Sequence, residues 1–137
     1  FLAGASLFYY QIDVLLVEPT GEDAPGLGEQ LAGANESLTI HSVTDVGRAR
    51  AVLRDTVIDC AVCVHDPPSI DGLEVLSAIR ERTPELPVLL AVDTERSARS
   101  VLDTGATDVV SLIDGRIDRD VVTNRIENAA GASSPRF

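Results

Sequence analysis

Five short apolar runs alternate with segments of helical spacing along this chain, and this alternation constrains the fold more than any other feature. The apolar runs are predicted to be strands, at residues 12–17, 38–43, 58–64, 87–92 and 107–112. The first, third and fourth runs are almost wholly apolar, which is typical of parallel strands covered on both faces. Segments that begin near residues 22, 44, 71, 94 and 118 repeat their apolar residues at helical intervals.

Alternating strands and helices with short connections predict one domain of the α/β class. We expect a three-layer, flavodoxin-like, doubly wound sheet of five parallel strands in the order 2-1-3-4-5. The side chains of Thr44, Asp71 and Thr94 are expected to cap the helices that follow them. Ligands bind such sheets at the carboxyl ends of the strands. The residues expected at that edge are Glu18, Val64, Val92 and Leu112.

The folded domain is expected to span residues 12–130, with a linker starting in residues 131–137. Residues 1–11 are expected to be an N-terminal arm or vector-derived residues. They carry no charge and hold four of the five aromatic side chains of the chain: Phe1, Phe8, Tyr9 and Tyr10. An apolar arm of this kind is suited to packing on the domain or on a second copy.

The charge balance is strongly acidic: the net charge is −11, and all 11 basic residues are Arg. Halophilic proteins use net negative charge to stay soluble in brine, so we expect a halophilic, archaeal source. Nothing in the sequence forms a basic patch, which argues against nucleic-acid binding by this domain alone. No segment is apolar over enough residues to span a membrane, and a cytoplasmic protein is expected.

Cys60 and Cys63 have the CxxC spacing of metal and redox pairs, but both fall within a predicted strand. Residues three apart on a strand point to opposite faces. No second pair is present to complete a zinc site. We therefore expect two buried, reduced thiols and no bound metal.

Three parts of the sequence resemble response-regulator receiver domains of the chemotaxis-receiver type. They are VLLVEP at residues 14–19, DCAVCVHDPPSIDG at 59–72, and GATDVVSL at 105–112 continuing to NRIEN at 124–128. The resemblance covers roughly residues 12–130 and is greatest to receivers of halophilic archaea. Such domains accept a phosphoryl group from a histidine kinase onto an Asp, next to a Mg²⁺ ion held by carboxylates.

The resemblance also implies that the phosphate site is degenerate, as in a pseudo-receiver. The positions of the family's acid pair, acceptor Asp, hydroxyl and Lys are occupied here by Glu18 with Pro19, Val64, Val92 and Leu112. Valine and leucine offer neither a nucleophile nor a group that neutralises phosphate charge. We expect these apolar side chains to form core, and we expect no catalytic residue, no cofactor and no enzymatic activity.

The leading hypothesis is a phosphorylation-independent regulatory module of a two-component phosphorelay protein, one that binds other proteins. The partner is expected to be another protein or a second copy of the chain, which would make a homodimer. The family binds partners through the face formed by its fourth helix, fifth strand and fifth helix. The candidate contact residues on that face are Arg96, Arg99, Asp103, Asp108, Val109, Arg119 and Glu127.

Two alternatives remain open. One is a working phosphoacceptor in which Asp66 replaces the missing acid, with Glu18 and Asp66 as weak candidates for metal ligands. The other is a binder of a small ligand at the carboxyl edge of the sheet. His65 follows the acceptor position, and a lone His at such a place is expected at the surface, without a catalytic role.

Overall fold

The computed structural model describes residues 11–19, 28–29, 31, 37–65, 70–93, 105–112 and 118–133. Within these ranges five strands form one sheet: β1 Ile12–Val17, β2 Leu38–Val43, β3 Cys60–His65, β4 Val88–Asp93 and β5 Asp108–Leu112. The helices with defined bounds in the same ranges are α1 Val46–Asp55, α2 Gly72–Arg82 and α3 Arg119–Ser133. The helices predicted near residues 22 and 94 fall largely or wholly outside the described residues.

The sheet has the strand order β2-β1-β3-β4-β5, and every neighbouring pair is parallel. This is the predicted flavodoxin-like order, so the prediction of fold class is confirmed. The order places β1 between β2 and β3, where the winding direction of the sheet reverses. Ligand sites in this architecture lie beside that reversal, at the carboxyl ends of the strands.

Strand β3 begins two residues later than predicted because an acidic side chain enters the pairing with β1. The backbone amide of Asp59 donates to the carbonyl of Asp13 over 2.9 Å. In return the amide of Asp13 donates to Oδ2 of Asp59, also over 2.9 Å. A carboxylate oxygen thus accepts where a main-chain carbonyl accepts in a regular ladder, and β3 starts at Cys60.

The helices begin at Asp side chains. Asp71 caps α2 as predicted, accepting from the amides of Leu73 and Glu74 over 3.0 and 3.3 Å. The predicted cap at Thr44 is wrong: Asp45 caps α1 and accepts from the amide of Arg48 over 2.7 Å. Asp45 has the extended backbone of a cap residue, and Asp ranks above Thr at this position because its carboxylate also favours the positive end of the helix.

The hydrophobic core is built on the three central strands. The first five residues of β4, Val88 to Val92, and the first five of β3 are buried. Helices α1 and α2 pack against each other and against this sheet. The largest fully buried side chains include those of Leu15, Leu16, Leu76, Leu89 and Ile126. Burial of each such side chain contributes roughly 1.5–3 kcal/mol, which makes the central strands a rigid base for the strand ends.

Arg80 on α2 connects that helix to two loops at the amino edge of the sheet. Its guanidinium donates to the carbonyl of Leu86 through Nη1 and to the carbonyl of Gly105 through Nε and Nη2, the last at 3.0 Å. Burial lowers the pKa of the Arg80 guanidinium. Gly105 has a φ of +98°, a conformation that residues with a Cβ rarely adopt.

Helix α3 continues to Ser133, three residues past the domain boundary expected at residue 130. Ala129 and Ala130 favour helix strongly, and the single Gly131 does not end it. The linker expected after the domain stays a prediction, and the N-terminal arm lies outside the described residues except for Gln11. No helix in the described part of the chain is long and apolar enough to cross a membrane.

Candidate functional site

The carboxyl ends of the strands bring four of the predicted site positions to one edge. Glu18 follows β1 directly, Val64 and Val92 are the penultimate residues of β3 and β4, and Leu112 ends β5. Residues paired across parallel strands share a face of the sheet. Val64 pairs with Ala91, whereas Val92 pairs with His65. Val64 and Val92 therefore lie on opposite faces of the sheet.

The two valines are nevertheless both core residues, as predicted. The side chain of Val64 is 3% exposed and that of Val92 is 5% exposed. Both belong to the continuous cluster of buried apolar residues. The backbone of Leu112 ends β5 opposite Asp93, and the side chains of these two residues lie outside the described part of the structure.

Glu18 is held by its neighbours on two sides. Its Oε2 accepts a hydrogen bond from the hydroxyl of Ser42 over 3.1 Å and one from the amide of Gly28 over 3.2 Å. Its own amide donates to the carbonyl of Val43 over 3.1 Å. The carboxylate therefore ties the end of β1 to β2 and to the helical residues 28–29. Pro19 follows it and has no amide to donate.

The end of β3 approaches the start of α2 so closely that only glycine fits. A Cβ on Gly72 would lie 2.7 Å from the carbonyl oxygen of Val64 and 3.0 Å from Cβ of His65. The first contact is with backbone and is shorter than real Cβ atoms show, and the second is tighter than most of their contacts. The Gly after Asp71 is thus required by packing.

His65 is bound more tightly than the sequence indicated. Its Nδ1 accepts a hydrogen bond from the amide of Gly72 over 3.1 Å and lies 3.7 Å from Oδ1 of Asp71. The side chain is 17% exposed. Because Nδ1 accepts, the neutral ring carries its proton on Nε2. His65 is partly exposed, less than the surface position expected for it, and its partner, seven residues later in the chain, is not visible in a strand pattern.

The candidate contact residues have different places in the structure. Asp108, at the start of β5, forms an ion pair with Arg125 of α3. Val109 is half-buried and packs against the core, and Glu127 is exposed on α3. The remaining candidates lie outside the residues or side chains that the structure describes: Arg96, Arg99, Asp103 and Arg119, together with the alternative acceptor Asp66.

The thiols of Cys60 and Cys63 are buried and unbridged, as predicted. Burial raises the pKa of each thiol to about 12, so neither is a nucleophile at neutral pH. In the ranges that the structure describes, no three His, Cys, Asp or Glu side chains come together in a way that could hold a metal ion.

The fold matches many solved structures of signalling domains. The receiver domain of the Francisella response regulator 1452 superposes with a TM-score of 0.73 at 15% identity, over 90% of this chain and 100% of its own. For the receiver domain of the TMAO respiratory system response regulator TorR, the TM-score is 0.72 at 21% identity, over 90% and 99%. The chain folds as a response-regulator receiver domain. A receiver domain protein from Clostridium thermocellum gives a TM-score of 0.70 at 14% identity, over 88% and 95%.

A curated relative from a halophilic organism aligns to part of this chain. The chain is 36% identical over 98 residues to the bacterioopsin transcriptional activator of Halobacterium salinarum. The match covers 69% of this chain but only 14% of the activator. The expected resemblance to receivers of halophiles is confirmed. No family model matches the chain.

Proposed function

We propose that this receiver-fold domain is a regulatory module of a two-component signalling protein that acts through protein contacts and takes no phosphoryl group. Two findings support the signalling role: the fold of solved receiver domains and the sequence relation to a transcriptional activator. Because the chain matches about one seventh of that activator, the module is proposed to work as one part of a larger regulator.

The observation that carries the proposal is the buried valine at the end of β3. In the family the phosphoryl group is accepted by a carboxylate at this place, and here the chain has Val64. If the side chain at this position were exposed to solvent, a neighbouring acid could accept the phosphoryl group in its place. At 3% exposure, however, Val64 is part of the core, and water and Mg²⁺ have no access to its methyl groups.

The state of Glu18 supports the same proposal. A carboxylate that binds Mg²⁺ offers its lone pairs to the ion. In this structure Oε2 of Glu18 already accepts from Ser42 and Gly28, so a metal would compete with two hydrogen bonds. Pro19 offers no second carboxylate. We infer that Glu18 serves to fix the β1 end and is not a metal ligand.

The positions that bind phosphate oxygens in the family are apolar as well. Val92 is buried and has no hydroxyl, and Leu112 stands where a Lys neutralises the phosphoryl charge. The chain contains no Lys at all. An apolar replacement of buried charged groups is often neutral or stabilising, so losing the site need not weaken the fold.

What remains is a surface for contacts with protein. In brine the Debye length falls to a few ångströms, so charged pairs across an interface are strongly screened. Apolar contacts are therefore proposed to supply most of the affinity. The face formed by β5 and α3, with Val109 and Glu127, is the described part of the surface that the family uses.

The test is whether the domain binds Mg²⁺ together with beryllofluoride, an analogue of the phosphoryl group. A ligand present at 100 times its Kd stabilises the folded state by about 2.7 kcal/mol, which a thermal melt detects readily. We expect the melting temperature with both compounds to equal that in NaCl of the same ionic strength. A saturable rise that needs both compounds contradicts the proposal.

A further inference from the structure

The imidazole of His65 lies between two groups that require opposite protonation states of the same nitrogen. His65 ends β3, directly after the buried Val64. Its Nδ1 accepts from the amide of Gly72 over 3.1 Å, whereas Oδ1 of Asp71 lies 3.7 Å from that nitrogen. The second distance is too long for a hydrogen bond. In this arrangement Nδ1 carries no proton, and the ring is bound to the backbone of α2.

The bond from Gly72 holds the start of α2 on the end of β3. Gly72 is the first residue of the helix and is buried, and its amide is one of those at a helix start that have no partner within the helix. A buried amide that loses its acceptor costs free energy. The two elements are also in close contact, since a Cβ on Gly72 would lie 2.7 Å from the carbonyl oxygen of Val64. The position of the helix start therefore depends on whether Nδ1 can accept.

Protonation of the ring removes this acceptor. In the charged imidazole both nitrogens carry a hydrogen and donate, so Nδ1 and the amide of Gly72 would direct two donors at each other. The carboxylate of Asp71 already accepts from the amides of Leu73 and Glu74, and it is the group placed to accept from Nδ1 as well. Neutral and charged His65 thus favour different arrangements at the start of α2. Histidine is the side chain that changes charge between pH 5 and pH 8.

Asp71 is the charged neighbour of the ring in the part of the chain that the structure describes. Among those residues it is the one carboxylate that forms an ion pair with His65. On β4, the residue paired with His65 is the apolar Val92. The acids on the surrounding elements accept from other donors or face solvent: Glu18, Asp45 and Glu74.

We propose that protonation of His65 moves Nδ1 from the amide of Gly72 to the carboxylate of Asp71 and releases the start of α2 from β3. The proton binds Nδ1, the hydrogen bond from Gly72 breaks, and an ion pair with Asp71 forms. In the family the end of β3 carries the phosphoacceptor. Here the residue after Val64 makes the same edge respond to pH. Because the proposed function excludes a phosphoryl group, the assignment of a proton as the input at this edge rests on that function.

The bond between Gly72 and His65 has a direct readout. It joins two nitrogens through one hydrogen, so NMR detects it as a scalar coupling between the amide nitrogen and Nδ1. We expect this coupling in the unmodified chain at about pH 8 and its loss at about pH 5, with the amide shifts of Gly72, Leu73 and Glu74 changing together. The amide of Leu89, in the buried β4, should keep its shift and so shows that the fold is intact. A coupling that persists at the lower pH overturns the proposal.

Two variants show whether His65 is the group that titrates. His65→Gln offers Gly72 an oxygen acceptor that gains no proton, so the same amide shifts should become independent of pH in this range. His41→Gln is the matched control, because the chain has two His and His41 binds Asp13, over 3.0 Å. It should leave the titration unchanged. A titration that persists in His65→Gln, or that is lost in His41→Gln, overturns the proposal.

A third variant tests the acceptor of the proton. Asp71→Asn keeps an oxygen for the helix cap but lacks the charge that favours a protonated ring. The loss of the coupling should therefore move to lower pH, and a loss at the same or a higher pH overturns the proposal.

The outcomes also separate this proposal from the proposed function. A coupling that does not respond to pH overturns the movement of His65 and leaves the proposed function standing. A melting temperature that rises with Mg²⁺ and beryllofluoride together overturns the proposed function, and with it the proton as the input.

Discussion

The hydroxyl of Ser42 donates a hydrogen bond over 3.1 Å to the carboxylate of Glu18. Ser42 lies on β2 and Glu18 follows β1, so the bond joins the ends of two neighbouring strands. In a working receiver an acid at this place faces the metal. Here its carboxylate accepts from protein donors, which is the structural role that we propose for it.

Removal of this carboxylate is expected to destabilise the domain. Glu18→Ala loses the acceptor for Ser42 and Gly28 and should lower the free energy of unfolding by roughly 1–2 kcal/mol. Glu18→Gln keeps an oxygen acceptor and should lower it by less than half as much. Urea denaturation at constant high salt measures both variants. If Glu18→Ala is as stable as the parent chain, the structural role is refuted.

Restoring an acid at the end of β3 is expected to damage the fold without restoring phosphate chemistry. Val64→Asp places a carboxylate at a position with 3% exposure and should lower the free energy of unfolding at pH 7 by roughly 3 kcal/mol. Burial raises the pKa of such a carboxyl in the folded state. The loss is therefore largest above that raised pKa, shrinks as the pH falls towards the unfolded-state value of about 4, and stays constant below it. Denaturation at pH 7 and pH 4 tests this, with Val64→Thr as the uncharged comparison.

The close approach of β3 and α2 makes Gly72 sensitive to any side chain. Gly72→Ala puts a Cβ 2.7 Å from the carbonyl oxygen of Val64 and should destabilise the domain by about 1–3 kcal/mol. Gly28→Ala is the control, because its Cβ would meet no atom closer than 3.5 Å. Equal melting temperatures for the two variants would show that the backbone at Gly72 has room to move.

The buried thiols predict how stability changes at high pH. Burial raises the pKa of Cys60 and Cys63 from 9.0 to about 12. The contribution of the two buried thiols to the free energy of unfolding is therefore fully present below pH 9. As pH rises from 9 towards 12, the unfolded chain loses thiol protons first and the free energy of unfolding falls. The double variant Cys60→Ala with Cys63→Ala should flatten this part of the pH curve, and an unchanged curve would assign the fall to other groups.

The fold could be predicted from the sequence because its strongest signals are local. The apolar runs at β1 and β2 predicted the bounds of both strands, and the alternation with helices predicted the parallel order. The prediction at residue 44 was wrong because Thr44 and Asp45 are adjacent residues that can both cap a helix. The backbone conformation, which the sequence alone does not give, decides which of the two residues caps the helix.

The site could be predicted in part. The spacing of the segment at residues 59–72 placed Val64 at the end of β3, and its burial was foreseen from its apolar character. The opposite faces of Val64 and Val92 depend on the register of β3 and β4, which no single strand pattern contains. The hydrogen bond from the amide of Gly72 to His65 depends on the close approach of the end of β3 to the start of α2. Contacts of this kind become visible only when the strand ends and helix starts are placed together.

The most direct test of the central claim is incubation of the chain with Mg²⁺ and a small acyl phosphate, followed by mass spectrometry. The account predicts that the intact mass stays that of the unmodified chain, since Val64 offers no nucleophile. An added phosphate that maps to Asp66 and is absent from Asp66→Asn would contradict it. That result would show that a displaced acid still receives the phosphoryl group.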